Sequence, residues 1–196
     1  MNMKEQVKKV LKSGNWMLRR SNKGRSYGYF QWKPVGEWTE APDWDPKPEC
    51  GGGLHGNGPK SKGYWTDGRD LDFCEIDPTN MVDLEGNKIK VKRARILLRN
   101  ELPKGLKVGG SLDLTSTQIK ELPEGLEVGG NLYLEGTKIK ELPKGLEVGG
   151  NLDLRDTQIK ELPKDLKVGG YLNLRDTKIK ELPKDLKVGG ATYKDF

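Results

Sequence analysis

Apolar runs are short throughout this chain of 196 residues, and none approaches the ~20 residues that a membrane-spanning helix needs. Met1 to Lys12 is charged rather than apolar, so it does not read as a secretory signal, and no membrane contact is expected. Cysteine is scarce. Two thiols, Cys50 and Cys74, are too few for a disulfide framework and, with no export signal, point to a reducing, cytoplasmic setting. Histidine is scarcer still: His55 stands alone and would have to serve every role in a histidine-dependent active site. No serine or cysteine motif surrounds it, so the chain reads as non-enzymatic and without a cofactor. Aromatic residues make up only 7 % of the chain, and all five tryptophans fall in its first hundred residues.

What the second half has instead is repetition. From Glu101 the sequence follows E-L-P-x-[GD]-L-x-V-G-G-x-L-x-L-x-x-T-x-I-K, in four full copies starting at Glu101, Glu121, Glu141 and Glu161. A shorter fifth copy runs from Glu181 to Phe196. A fixed twenty-residue period marks a solenoid, whose coils bury their apolar sides only against one another. The L-x-L segments (Leu112/Leu114, Leu132/Leu134, Leu152/Leu154, Leu172/Leu174) alternate with period two and predict short parallel strands. The return path T-x-I-K-E-L-P-x-G-L is too short and too broken by proline for a helix, so it predicts an extended or 3₁₀ course. The Gly-Gly before each strand predicts a tight bend or close packing of backbones.

Comparing the copies with one another separates scaffold from surface. Twelve of the twenty positions are identical in all four full copies. The variation lies largely beside the strand leucines, at Ser111/Asp113/Thr115, Asn131/Tyr133/Glu135, Asn151/Asp153/Arg155 and Tyr171/Asn173/Arg175. A surface that varies while its frame does not is where specificity resides, and solenoids more often bind than catalyse. Tyrosine and arginine are frequent interface anchors. The candidate partner-binding set is therefore Tyr133, Glu135, Asp153, Arg155, Tyr171, Asn173 and Arg175. Four strands spaced ~4.8 Å apart carry only a small patch, so the N-terminal half is expected to share the contact. The glutamates at the start of each copy follow lysines (once Asn100), and stacking predicts adjacent columns of opposite charge. In the last copy Thr192 and Lys194 replace the two strand leucines, which reads as a polar end-cap.

The stretch Leu132 to Pro143, L-x-L-x-x-T-x-I-x-x-L-P, resembles the bacterial and phage-type leucine-rich repeat, with its pattern L-x-L-x-x-N-x-L-x-x-L-P. The resemblance implies a parallel-β solenoid whose varying strand positions line a concave sheet. Two departures stand out. Thr117, Thr137, Thr157 and Thr177 take the place of the asparagine ladder, where their hydroxyls are suited to bond backbone inside the turn. Val-Gly-Gly replaces the leucine that starts the strand motif.

Residues 1–100 are a different material and carry the whole net charge of +6, since residues 101–196 hold 16 basic and 16 acidic side chains. Residues 1–36 contain nine basic and one acidic group, 37–85 four and twelve, and 86–100 six and none. Met3, Val7, Val10 and Leu11 share one face of a short helix ended by Ser-Gly-Asn. Trp16–Arg20 and Arg25–Trp32 predict a hairpin around Ser-Asn-Lys-Gly, and 33–68 an irregular stretch. Leu71–Asp77, Met81–Leu84 and Lys88–Leu98 predict further strands. The expected architecture is a small α+β, β-rich module over 1–100 that caps a leucine-rich-repeat solenoid over 101–196.

The core P-E-C-G-x-G-L-H-G at 48–56, with Phe73–Asp77 and Lys88–Arg93, resembles an uncharacterised module of phage and bacterial proteins that often precedes short repeats. It brings no established activity. Together the two resemblances imply a phage-type protein that binds and blocks a host or defence protein, a stoichiometric inhibitor acting in the host cytoplasm. The first half also offers a second chemistry, nucleic-acid or nucleotide binding. Its basic and aromatic surface comprises Lys90, Lys92, Arg93, Arg95, Trp44 and His55, with Lys88 and Arg99 beside them; Trp16, Tyr27, Tyr29, Trp32 and Trp38 are the residues for base stacking. Gly53–Ser61 nearly spells a phosphate loop, but Pro59 separates Gly58 from Lys60. Cys50, His55 and Cys74 are a weak zinc set, because the spacing lacks a paired C-x₂-C knuckle.

Overall fold

The computed structural model describes every residue except Gly24, 26–29, 50–51, 62–67, Asn87 and Phe196. The chain divides into two compact units, Met1–Pro103 and Lys104–Phe196.

The first unit opens with helix α1 (Met3–Ser13). Asn2 and Glu5 close a reciprocal capping box: the Glu5 N–H donates to Asn2 Oδ1 at 2.9 Å and the Asn2 N–H to Glu5 Oε2 at 3.1 Å. Gly14 ends the helix at φ 73°, a left-handed cap that glycine adopts without strain. Of the predicted apolar face, Val7 and Val10 are buried and Leu11 is half-buried, whereas Met3 is exposed.

Strand β1 (Trp16–Ser21) pairs antiparallel with β4 (Asp70–Ile76), which pairs with β7 (Arg93–Arg99). β2 (Trp38–Glu40) completes a four-stranded sheet in the order β1-β4-β7-β2. A second sheet joins β3 (Leu54–Gly56), β6 (Lys88–Val91) and β5 (Met81–Leu84) in the order β3-β6-β5. Met17, Cys74, Ala94 and Ile96 of the first sheet pack with Leu54, Ile89 and Val91 of the second and with Trp32, and this cluster is the core.

Two sequence expectations change here. The run Lys88–Leu98 is two strands in different sheets, broken at Lys92, whose N–H donates to Asn80 O and whose carbonyl accepts from Ala41. The stretch read as irregular supplies β2 and β3, each only three residues long and too short to show a period. β1 pairs with β4, and its expected pairing with the 25–32 segment falls largely outside the described residues. Of that segment Arg25 bridges Asn22 and Gln31, while Ser26–Tyr29 lie outside the described residues.

The second unit is a parallel β-solenoid of about four turns. Strands β9 (Leu112–Asp113), β11 (Leu132–Tyr133), β13 (Leu152–Asp153), β15 (Leu172–Asn173) and β17 (Thr192–Tyr193) stack in register at twenty-residue steps. A second ladder, absent from the sequence reading, consists of β8 (Lys107–Val108), β10 (Glu127–Val128), β12 (Glu147–Val148), β14 (Lys167–Val168) and β16 (Lys187–Val188). One valine beside a charged residue and two glycines carries no alternation. It becomes a strand only because an identical pair lies on either side.

The glycines between the two ladders explain the close stacking. A Cβ on Gly149 would collide with the Gly129 carbonyl oxygen, and one on Gly130 would stand 2.8 Å from the Gly110 carbonyl carbon. The backbones run as a ladder here, with Gly150 N–H donating to Gly130 O at 2.9 Å. On the other side of each Leu strand, Thr117, Thr137, Thr157 and Thr177 hydroxyls each donate to the carbonyl three residues back at 2.7 Å. These bonds satisfy carbonyls at the turn, in line with the expectation for the threonine column. The return path contains a tight turn, Leu126 N–H donating to Pro123 O at 3.3 Å, and no helical segment among the described residues. In the last coil Thr192 is half-buried and Lys194 exposed.

Inter-coil ion pairs form at varying positions rather than in the invariant Lys and Glu columns. Lys104 meets Glu124 at 2.8 Å, Lys107 meets Glu127 at 2.8 Å, and Lys167 meets Glu147. All are exposed, and such pairs contribute ~0–1 kcal/mol each. The invariant columns form no ion pair among the described residues.

Candidate binding face

Outward positions of the Leu strands sort into three groups by what their side chains already do. The first position of the strand motif is committed to the scaffold wherever it holds Ser or Asn. Asn131 N–H donates to Ser111 Oγ at 3.0 Å, Asn151 N–H to Asn131 Oδ1 at 2.8 Å, and Tyr171 N–H to Asn151 Oδ1 at 2.8 Å. Each side chain thereby ties its coil to the backbone of the next.

The second outward position is a local lock wherever it holds Asp or Asn. Asp113 Oδ1 accepts the Thr115 N–H at 2.9 Å, Asp153 Oδ1 the Arg155 N–H at 3.1 Å, and Asn173 Oδ1 the Arg175 N–H at 3.4 Å. These Asx bonds turn the chain out of the strand. Asp153 and Asn173 of the candidate set are therefore shape-holding residues as well as surface. Tyr133, at the same position, accepts Asn131 Nδ2–H on its phenol oxygen at 2.7 Å.

The third position carries the charge. Arg155 forks onto Asp153, with Nε at 3.0 Å from both oxygens and Nη2 at 2.7 Å, and reaches Glu135 Oε2 at 2.7 Å across the coil boundary. The Asp153 hydrogen bonds push the Arg155 pKa up, and the surrounding carboxylates add to that. This guanidinium is neutralised within its own sheet. Arg175, one coil on, pairs with no carboxylate among the described residues and lies 5.1 Å from the Tyr193 ring centroid.

Tyr193 is the residue the sequence reading missed. It stands in register with Asn173, twenty residues on, and column counting finds it once the fifth copy is read as a strand. Tyr171 and Tyr193 meet edge-to-face at 6.0 Å between centroids, and remain 51 % and 40 % exposed. That geometry is favoured by the ring quadrupoles. The structure thus gathers Tyr171, Arg175 and Tyr193 at one corner, with Tyr133, Glu135, Asp153 and Arg155 along the strands before it.

The N-terminal surface residues fare differently. Lys90 is 1 % exposed; its ammonium donates to Lys47 O at 2.7 Å and Glu49 O at 3.0 Å and lies 5.9 Å from the Trp44 ring. It is fixed on the carbonyls of Lys47 and Glu49 and does not belong to an exposed basic surface. Lys92 is exposed. Arg93 and Arg95 lie 4.6 Å and 4.7 Å from the Trp38 ring centroid, and Arg95 pairs with Glu75 at 2.8 Å. Trp16 and Trp32 are buried, and Trp38 is already engaged by two guanidinium groups, so these three are not free stacking platforms. Tyr27 and Tyr29 lie outside the described residues.

The near-phosphate loop spends its donors internally: Asn57 N–H donates to Leu18 O at 2.7 Å and Gly58 N–H to Ser61 Oγ at 2.9 Å. His55, half-buried opposite Lys90, has its pKa lowered by burial and then by the Lys88 and Lys90 charges. Cys74 is a free, fully buried core thiol whose pKa burial pushes up. Cys50 lies outside the described residues, and no group of three or more His, Cys, Asp or Glu among those described is placed to hold a metal. No helix among them is long and apolar enough to cross a membrane.

Comparison with family models, curated proteins and solved structures yields no match to this chain.

Proposed function

We propose that this chain is a non-enzymatic binding protein that engages a partner protein through the Leu-strand face of its solenoid. The observation that carries the reading is the corner of Tyr171, Arg175 and Tyr193, two exposed aromatic rings and a guanidinium without a carboxylate among the described residues. Large aromatic and arginine side chains left on a surface are what interface hot spots are made of. The side chains of these three residues make no hydrogen bond or ion pair among the described residues, so truncating them removes none of the bonds that join the coils. The repeat pattern's likeness to phage-type leucine-rich repeats supports a narrower form of the reading, stoichiometric blocking of a host or defence protein. Nucleic-acid binding loses support, because three of its proposed stacking residues are engaged within the protein.

The test is capture from a nuclease-treated bacterial lysate by the tagged chain, run beside a Tyr171→Ala/Arg175→Ala variant. One protein at fixed stoichiometry, reduced at least tenfold by the variant with unchanged melting, is the expected result. Capture indifferent to the variant, or nucleic acid alone, overturns the reading.

A further inference from the structure

The same face has a charge that the chain as a whole does not. Asp113, Glu135, Asp153, Asp156, Asp176 and Asp195 stand at its second and third outward positions and at the corner that follows, against Arg155 and Arg175. Six carboxylates against two guanidinium groups give −4, on a protein whose formal charge is +6. Counting Lys194, at the alternate position of the last strand, leaves the balance negative. Arg155 is bound by Asp153 and Glu135, so it offsets charge inside the sheet and offers little outward.

The spacing is regular. Asp156 and Asp176 occupy left-handed corners, φ 51° and 57°, directly after their strands, where a short polar side chain is tolerated. Every coil presents at least one carboxylate, and rungs of a β-ladder are ~4.8 Å apart, so five coils span ~19 Å. An extended segment rising ~3.3 Å per residue covers that length in about six residues and turns alternate side chains to the face. At the far end, the Tyr171–Tyr193 pair offers an apolar seat whose ring faces also attract cations.

From this placement we infer that the face receives an extended, lysine- or arginine-bearing segment of the partner protein, with an apolar or aromatic residue seated on Tyr171 and Tyr193. The inference rests on the protein-binding reading above and adds the partner's chemistry to it. A phosphate backbone is repelled by the same carboxylates that attract such a segment.

The experiment uses the full chain and a fluorescein-labelled seven-residue peptide of alternating lysine and valine ending in tryptophan, followed by anisotropy. A peptide with glutamate in place of lysine is the control. A basic peptide is repelled by the chain's overall charge, so its capture reports the local face. The expected result is at least tenfold tighter binding of the lysine peptide, weakened at least threefold by Glu135→Lys and by Tyr171→Ala, with circular dichroism unchanged. Equal or tighter binding of the glutamate peptide, lost on Tyr171→Ala, overturns the charge assignment and leaves the binding face standing. Binding indifferent to both substitutions, or no binding of either peptide, overturns the inference; the first of these also removes the face.

Discussion

At the scale of single residues, two buried polar groups show how far tertiary context redefines a side chain. Asp72 is fully buried in β4 and accepts from Ser21 Oγ at 3.0 Å and from Arg99 Nε at 2.7 Å, with Arg19 Nη1 at 3.8 Å. Arg19 in turn lies 3.9 Å from the Trp32 ring centroid, and burial lowers its pKa. In sequence these residues read only as strand charges. His55 allows a direct test of such burial. It titrates near 6.5 when unfolded and lower when folded, because burial and the Lys88 and Lys90 charges, only partly offset by a backbone hydrogen bond at Gly53 and by Asp43, disfavour its charged form. Between those values the unfolded chain holds the extra proton, so stability is full above ~6.5 and falls as pH drops through the folded pKa. His55→Gln is expected to flatten the loss of stability between pH 7 and 5, measured by urea unfolding at each pH. An unchanged slope places the acid sensitivity elsewhere.

At the scale of the element, the twenty-residue coil divides its labour among ladders. Leucine, valine and isoleucine fill the interior, threonine hydroxyls satisfy turn carbonyls, and asparagine side chains bind the next backbone. Glycine lets two backbones approach where a Cβ has no room. Gly149→Ala places a methyl against the Gly129 carbonyl, which only a shift of the coil relieves. Overpacking of this kind costs roughly 1–3 kcal/mol, and thermal or urea unfolding of the variant is expected to show a loss in that range. A neutral result means that the coils slide apart freely. The Leu strands were legible because leucines alternate around a varying residue. The Lys/Glu-Val strands were not, since their only signal is the neighbour twenty residues away.

At the scale of the whole molecule, charge decides between partners. The positive excess lies in residues 1–100, but several of its groups are used internally: Lys90 by loop carbonyls, Arg95 by Glu75, and Arg99 by Asp72. A protein interface anchored on tyrosines is expected to weaken less than tenfold when salt rises from about 0.05 to 0.5 M, read as Kd by titration. Six to ten phosphate contacts would lose about a thousandfold or more over even part of that range, through counterion release. Loss on that scale would move the function to a nucleic-acid surface.

The sequence by itself determined the period, the solenoid, the α1 helix and the column of outward positions, because each follows from spacing within a short stretch. Only the tertiary structure decided which of those positions are free. Asn131 and Asn151 look as variable as Tyr171, yet they bond the backbone of the next coil, whereas Tyr171 and Tyr193 meet each other in solvent. Arg155 and Arg175 are the same residue in the same column, and only the first has two carboxylates within reach. Such differences arise from neighbours twenty residues apart along the chain and one rung apart in space.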